Sequence, residues 1–469
     1  MNIPAFNTPD RWHLRTTFVL ALSASALGMG NLWRFSYLTG EHGGGAFVIT
    51  YVLCLFLIAV PVMVAEAALG RYGGPSSVAA ITLAIDSAGL SQGWRLIGVL
   101  ACLTGVLILA FYIVVAGWSL AYAGFMYEGT FAAAPALEVG THFAQYLTDT
   151  PAQIYWQSLF LLAAAGIVVL GVQRGLGVLV WIAVPLMLVM LAFLLKFAVD
   201  YGNIGATRDY LFSAKLADFT PWSALVALGH AFFTLGVGVG IGITYGAYAP
   251  QKTPIGRSVV VVAVFDTLIA MLAGLAIYSV VFANNMDPTA GPGLLFISLP
   301  YAFGNLDQGD LAGTVFFALM ALAALGSAVA ILEPIVATVK RQFLVERFTA
   351  TLAVGATVWL LSLAVVGSFI SAARITWLGK PNLMSLLDSV TANLLLPLVA
   401  LLIALFVGWG LRSDILRPEL ARGSDGFFSL WRFLLRYIAP PVIALVLLLP
   451  FFVAVVVEDP GAVGLYEAD

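Results

Sequence analysis

The chain has 469 residues, of which 61% are hydrophobic and 10% charged, against roughly 25% charged in ordinary soluble domains, so its composition is that of a polytopic membrane protein. A formal net charge of −3 argues against a nucleic-acid partner, which would call for clustered basic residues on a soluble face. The two cysteines, Cys54 and Cys102, lie inside apolar runs without Cys-x-x-Cys spacing, so they indicate neither a disulfide framework nor a metal site and read as small buried apolar residues.

After a cytoplasmic segment, 1–15, apolar runs of about 18 residues or more fall near 16–38, 45–69, 93–124, 156–173, 176–199, 222–250, 257–284, 312–340, 349–371, 386–411 and 431–457, eleven spans in all. The first is no cleaved signal peptide, because it is long, lacks a small-x-small exit site and carries Arg34 and Phe35 where cleavage would occur. With the N-terminus inside, fifteen of the 21 Lys and Arg face the cytoplasm, among them Arg11, Arg15, Arg71, Arg174, Lys340, Arg341 and Arg347. The positive-inside rule therefore predicts an inside N-terminus, and an odd number of spans places the 458–469 tail outside. The outer loop near 125–155 agrees, holding Glu128, Glu138 and Asp149 but no Lys or Arg.

Two of the runs are interrupted. The first contains Gly28-Met29-Gly30-Asn31, and the sixth contains Gly236-Val237-Gly238-Val239-Gly240. Glycine weakens a helix where lipid demands that each backbone group be satisfied, and unwound backbone at that depth survives only where it lines a cavity or binds something. Five spans separate the two breaks, so the halves 16–199 and 222–411 would be five-helix repeats of opposite orientation, with a site between the discontinuous helices and an eleventh helix, 431–457, added at the end.

A series of motifs in order resembles bacterial members of the neurotransmitter:sodium symporter family over nearly the whole chain. It comprises Trp12 and Arg15, Gly28 to Asn31 with Arg34-Phe35, Gly43 to Phe47, Pro61 through Glu66 to Gly70-Arg71-Tyr72-Gly73-Gly74, and Tyr112. Further on come Gly175 with Pro185, Phe232-Phe233-Thr234, Asp266-Thr267 with Ala273-Gly274, Ser327 and Asp388. The resemblance implies an all-α, leucine-transporter-like fold and sodium-coupled import of an amino acid.

By resemblance, a first sodium site would use the Ala26 carbonyl, Asn31, Thr234 and Asp266, with the substrate carboxylate as a further ligand that couples the two. Asp266, with Ala270 one turn on, would supply the negative charge that chloride provides in other relatives. The second site would draw on carbonyls of Ala24, Leu27 and Ala323, with Gly326 and Ser327 where the family has two oxygen side chains, so one oxygen is missing. The pocket would be lined by Ser25, Ala26, Gly28, Gly30, Ile108, Tyr112, Phe233, Thr234, Gly236, Val239, Ser327 and Ile331. Gly28 stands where amine-transporting relatives carry aspartate, which favours amino acids. Gly236 and Val239 replace larger side chains, which leans towards a bulky hydrophobic or aromatic substrate. Arg34 and Asp388 match the outer gate pair, with Tyr112 and Phe233 closing beneath them.

The inner gate departs from the family: its arginine is Pro9 here and its aspartate Arg341, and no pair follows from the sequence. Glu66 and Glu333 read as structural hydrogen-bond partners, and 175–185 as the stretch that unwinds in relatives to let water reach the inner sodium. The reading is a chloride-independent, sodium-coupled importer of the bacterial inner membrane working by alternating access, not an enzyme. It would have an amino-acid substrate and a lipid surround, with no nucleic-acid partner and no indication of monomer or dimer. A proton-coupled or facilitative carrier, kept open by His230 near Asp266, and a non-transporting amino-acid receptor of the same fold are the alternatives.

Overall fold

The computed structural model describes residues 11–213, 216–284, 294–370, 382–420 and 425–457. Pro9 and Asp10 in the N-terminal segment, and the expected outer tail 458–469, lie outside the described residues. Among the described residues there is no strand, and all eleven apolar runs fall on helical segments.

The first run forms α1 (Arg15–Ala26), a break, a π-helical turn over Gly30–Arg34, and α2 (Phe35–Glu41). Then come α3 (Gly45–Gly73), α4 (Ser77–Ala88), α5 (Gln92–Tyr127), α6 (Ala136–Thr148), α7 (Thr150–Gly171), α8 (Val178–Tyr201) and α9 (Ile204–Phe212). The sixth run is again split, into α10 (Pro221–Leu235) and α11 (Ile241–Tyr248). It is followed by α12 (Ile255–Ala283), α13 (Leu299–Gly304), α14 (Gly309–Phe343), α15 (Arg347–Ile370), α16 (Leu383–Gly410) and α17 (Asp425–Leu448).

Local chemistry fixes many ends. The Thr220 hydroxyl accepts from the Ser223 amide in a capping box, with Pro221 at the first helical position of α10. Asn203 and Asn382 cap α9 and α16 by accepting from Ala206 and Ser385 amides at 3.0 and 2.8 Å. The short helices α4, α6, α9 and α13 lie between the spans. They fall below the length of a membrane crossing and so leave no span-length apolar run in the sequence.

Burial sorts the long helices. Over its most apolar stretch α14 is 78% buried and α5 67%, whereas α15 and α17 are 33% buried and turn leucines such as Leu352 and Leu360 outward. Exposed leucine is the expected lipid face of a membrane helix. Towards the cytoplasmic side by the sequence reading, the Trp12 amide donates to the Tyr248 carbonyl at 2.9 Å and its indole to the Val172 carbonyl at 3.1 Å. That buried ring stands edge-on to Tyr245 and Tyr248 and ties the chain before α1 to the end of α11. The stretch 175–185 is fully wound here, a π-helical turn over Val172–Gly177 leading into α8 with Pro185 inside it.

Candidate functional site between the broken helices

The two breaks face one another in the middle of the bundle, and their backbone groups are satisfied differently. Beyond the sixth break, the Gly238 and Gly242 amides donate to the two Glu66 carboxylate oxygens at 2.7 and 3.2 Å. Glu66, fully buried on α3, thus neutralises the positive N-terminus of α11. At the first break the Gly28 amide turns back to the Ala26 carbonyl at 2.7 Å and Asn31 to the Gly28 carbonyl at 3.2 Å, with no carboxylate bonded to these amides.

Beside this first break the structure gathers an oxygen-rich knot. Asn31 Nδ2 donates to Asp266 Oδ1 at 2.7 Å, and Thr234 Oγ1 lies 2.8 Å from Asn31 Oδ1 and 3.1 Å from both Asp266 carboxylate oxygens. Tyr51, which the sequence reading missed, donates its hydroxyl to Asp266 Oδ2 at 3.2 Å. Asp266 is fully buried, and none of the ion pairs among the described residues includes it. A buried carboxylate without a basic partner calls for a cation, and hard carboxylate, amide and hydroxyl oxygens suit a small alkali ion. Tyr51 also separates Asp266 from His230. The His230 ring packs 5.1 Å from that of Tyr51 and against Phe35 and Phe47, and neither ring nitrogen has a hydrogen-bond partner.

Next to the knot lies a small cavity lined by all twelve of the expected pocket residues and by two more, Ile241 and Leu396. Ser327 Oγ donates to the Ser25 carbonyl at 2.9 Å, and Tyr112 Oη accepts from the Met29 amide at 3.3 Å. A Cβ at Gly28 would strike Ser327 Oγ and stand 3.0 Å from Tyr112 Oη, so only glycine leaves this polar corner open.

The second expected cation set is poorer. Where α1 packs on α14, Ser327 Oγ turns to the Ser25 and Ala323 carbonyls, and a Cβ on Gly326 would stand 2.8 Å from the Ala24 carbonyl oxygen. The helices close over the place where a side-chain oxygen would have to enter. The adjoining cavity touches Leu27 and Ala323 but is walled by Met187, Leu191, Ile269 and Leu319.

Two ion pairs stand on or beside the helices that line the cavity. Arg34 pairs with Asp388, and its guanidinium sits 5.1 Å over the Phe233 ring, which in turn lies against Gly30. Arg347 pairs with Glu333, whose second oxygen accepts from the Tyr248 hydroxyl at 2.6 Å, while Arg347 Nε donates to the Val168 carbonyl at 2.6 Å. That cluster joins α7, α11, α14 and α15. The buried Glu333-Pro334 pair was the sequence signal for it, but its partner sits on the next helix.

The model of the sodium:neurotransmitter symporter family matches residues 9–135 and 140–461. The chain belongs to the sodium:neurotransmitter symporter family. An uncharacterised sodium-dependent transporter of Bacillus subtilis, YhdH, is 32% identical over 444 residues, covering 94% of this chain and 97% of the relative. One from Methanocaldococcus jannaschii is 29% identical, covering 92% and 88%. Among solved structures, that of MhsT in complex with L-phenylalanine has a TM-score of 0.86 at 35% identity, covering 94% of this chain and 99% of MhsT. The family is one of sodium-dependent transporters, not enzymes, and this member is an integral membrane protein with the all-α fold the motifs implied.

Proposed function

We propose that this protein is a sodium-coupled symporter that imports an L-amino acid with a large apolar or aromatic side chain, by alternating access and without chloride. The observation that carries the proposal is Asp266, a fully buried carboxylate with amide and hydroxyl partners and no basic one, set beside a cavity between two broken helices. Sodium bound by Asn31, Thr234, Asp266 and the Ala26 carbonyl would bring the charge of the knot to zero. The substrate carboxylate would meet the amides of the first break, which no carboxylate holds here, and the Tyr112 hydroxyl, completing the sodium shell, so each ligand improves the site for the other. Glu66 already occupies the opposing helix end, which leaves the first break for the carboxylate. The L-phenylalanine held by MhsT supports the substrate class.

Chloride is dispensable in this account because Asp266 carries a fixed charge where Ala270 offers no ligand. One sodium site does the coupling, since Gly326 contributes no oxygen to the second. Arg34 with Asp388 would close the outer side and Arg347 with Glu333 and Tyr248 the inner one, the two pairs opening in alternation. The chain would lie in the bacterial inner membrane with its N-terminus inside and its C-terminal tail outside, as repeats 16–199 and 222–411 with 431–457 appended. A thermal-shift screen of the purified protein against the common amino acids tests this, in sodium chloride, sodium gluconate and potassium chloride. Stabilisation by large apolar amino acids in both sodium salts and not in potassium is expected. Stabilisation indifferent to sodium would reject symport.

A further inference from the structure

We infer that Ile241 and Leu396 form the end wall that sets how long a substrate side chain the cavity accepts. The inference rests on the reading of this cavity as an amino-acid site. Gly236 and Gly238 hold left-handed backbone, φ 68° and 88°, which a side chain would strain, so the unwound sixth span presents bare backbone there. Its two neighbours fill the gap. The Ile241 side chain lies so near Gly236 that a Cβ on residue 236 would sit 2.5 Å from Ile241 Cδ1. Leu396 covers Gly238 in the same manner, its carbonyl 3.1 Å and its Cδ2 3.4 Å from where a Cβ would stand.

Both residues are 1% exposed, and both line the cavity. The polar corner of Gly28, Ser327 and Tyr112 is built from the first break, α14 and α5, whereas Ile241 and Leu396 stand on α11 and α16, so a ligand anchored at that corner by its charged groups would extend its side chain towards the α11 and α16 wall. Ile241 opens α11, and Leu396 follows the π-helical turn over Thr391–Leu395 in α16. The wall is therefore built from the first residue of α11 and a residue in the middle of α16, each on a helix rather than on a flexible loop. A hydrophobic pocket discriminates by roughly 10- to 200-fold per methylene, so shortening or lengthening either side chain should reorder substrates instead of weakening all of them.

The test measures sodium-dependent binding of alanine, valine, leucine, phenylalanine and tryptophan to the full-length protein and to Ile241→Val, Ile241→Ala, Leu396→Ala and Leu396→Phe. The truncations are expected to raise the tryptophan-to-leucine affinity ratio by about tenfold or more. Leu396→Phe is expected to lower that ratio and to spare alanine and valine. The single-methyl change Ile241→Val keeps the test readable where Ile241→Ala folds poorly. A uniform change across all five amino acids, or an unchanged ratio, overturns the inference while leaving the amino-acid reading intact. Failure of the unaltered protein to bind any of the five overturns that reading and the inference with it.

Discussion

Replacing Asp266 with asparagine should push the protein in two opposite directions at once. The change keeps the shape of the side chain and an oxygen to accept from Asn31 Nδ2, now at 2.7 Å from Oδ1, but removes the charge. An ionised carboxylate at the centre of a membrane helix costs roughly 2.5–3.5 kcal/mol on insertion scales. Without sodium, the variant should therefore melt at a higher temperature than the unaltered protein. With sodium the sign reverses. A charge pair at 4 Å in an effective dielectric of about 20 is worth about 4 kcal/mol, so sodium affinity should fall by about a thousandfold. The assay is a thermal melt across a sodium titration at constant ionic strength, with potassium as the replacement. The unaltered protein should gain stability with each decade of sodium, and Asp266→Asn should start higher and stay flat. A variant that starts lower, or whose sodium midpoint moves by less than about threefold, refutes the assignment of Asp266 as the cation's counter-charge.

Asp388→Asn leaves Arg34 without its partner, a loss of about 3 kcal/mol at the low end for a pair with one side partly exposed; binding should persist while uptake falls, and full uptake would remove the pair from the gating cycle. Glu333→Gln should weaken the inner cluster with Arg347 and Tyr248, seen as faster hydrogen exchange over α11 and the start of α15; unchanged exchange there would show that the cluster does not hold these helices together. Gly28→Ala puts a methyl against Ser327 Oγ and Tyr112 Oη, at an overpacking cost of roughly 1–3 kcal/mol. It should weaken amino-acid binding by about 10- to 100-fold while leaving the melting shift caused by sodium alone intact; retained affinity would place the substrate carboxylate elsewhere.

What the sequence revealed was whatever stands out against an apolar background. Asp266 is a charge in a long apolar run, and Gly28, Gly30, Gly236, Gly238 and Gly240 are breaks where lipid penalises breaks, so the knot and the cavity beside it could be outlined residue by residue. Ile241 and Leu396 were invisible for the opposite reason. They are ordinary apolar residues in apolar runs, and their role follows from standing over glycines that the chain brings close only in three dimensions. Tyr51 is hidden in the same way among the aromatic residues of α3. The inner cluster was half legible: Glu333 inside a span demands a partner, but Arg347 sits among the loop basics that the topology argument had already counted. The short helices α4, α6, α9 and α13 carry no membrane-length signal, so periodicity over a span-sized window cannot find them.

The most direct test of the central claim is uptake of labelled L-phenylalanine into proteoliposomes with an imposed sodium gradient and an inside-negative potential. One sodium ion moved down 100 mV supplies about 2.3 kcal/mol, enough for roughly 50-fold accumulation from the potential alone. The account predicts concentrative uptake that requires sodium, persists when gluconate replaces chloride, and vanishes in Asp266→Asn. Uptake that only equilibrates, or that proceeds equally in potassium, would contradict it.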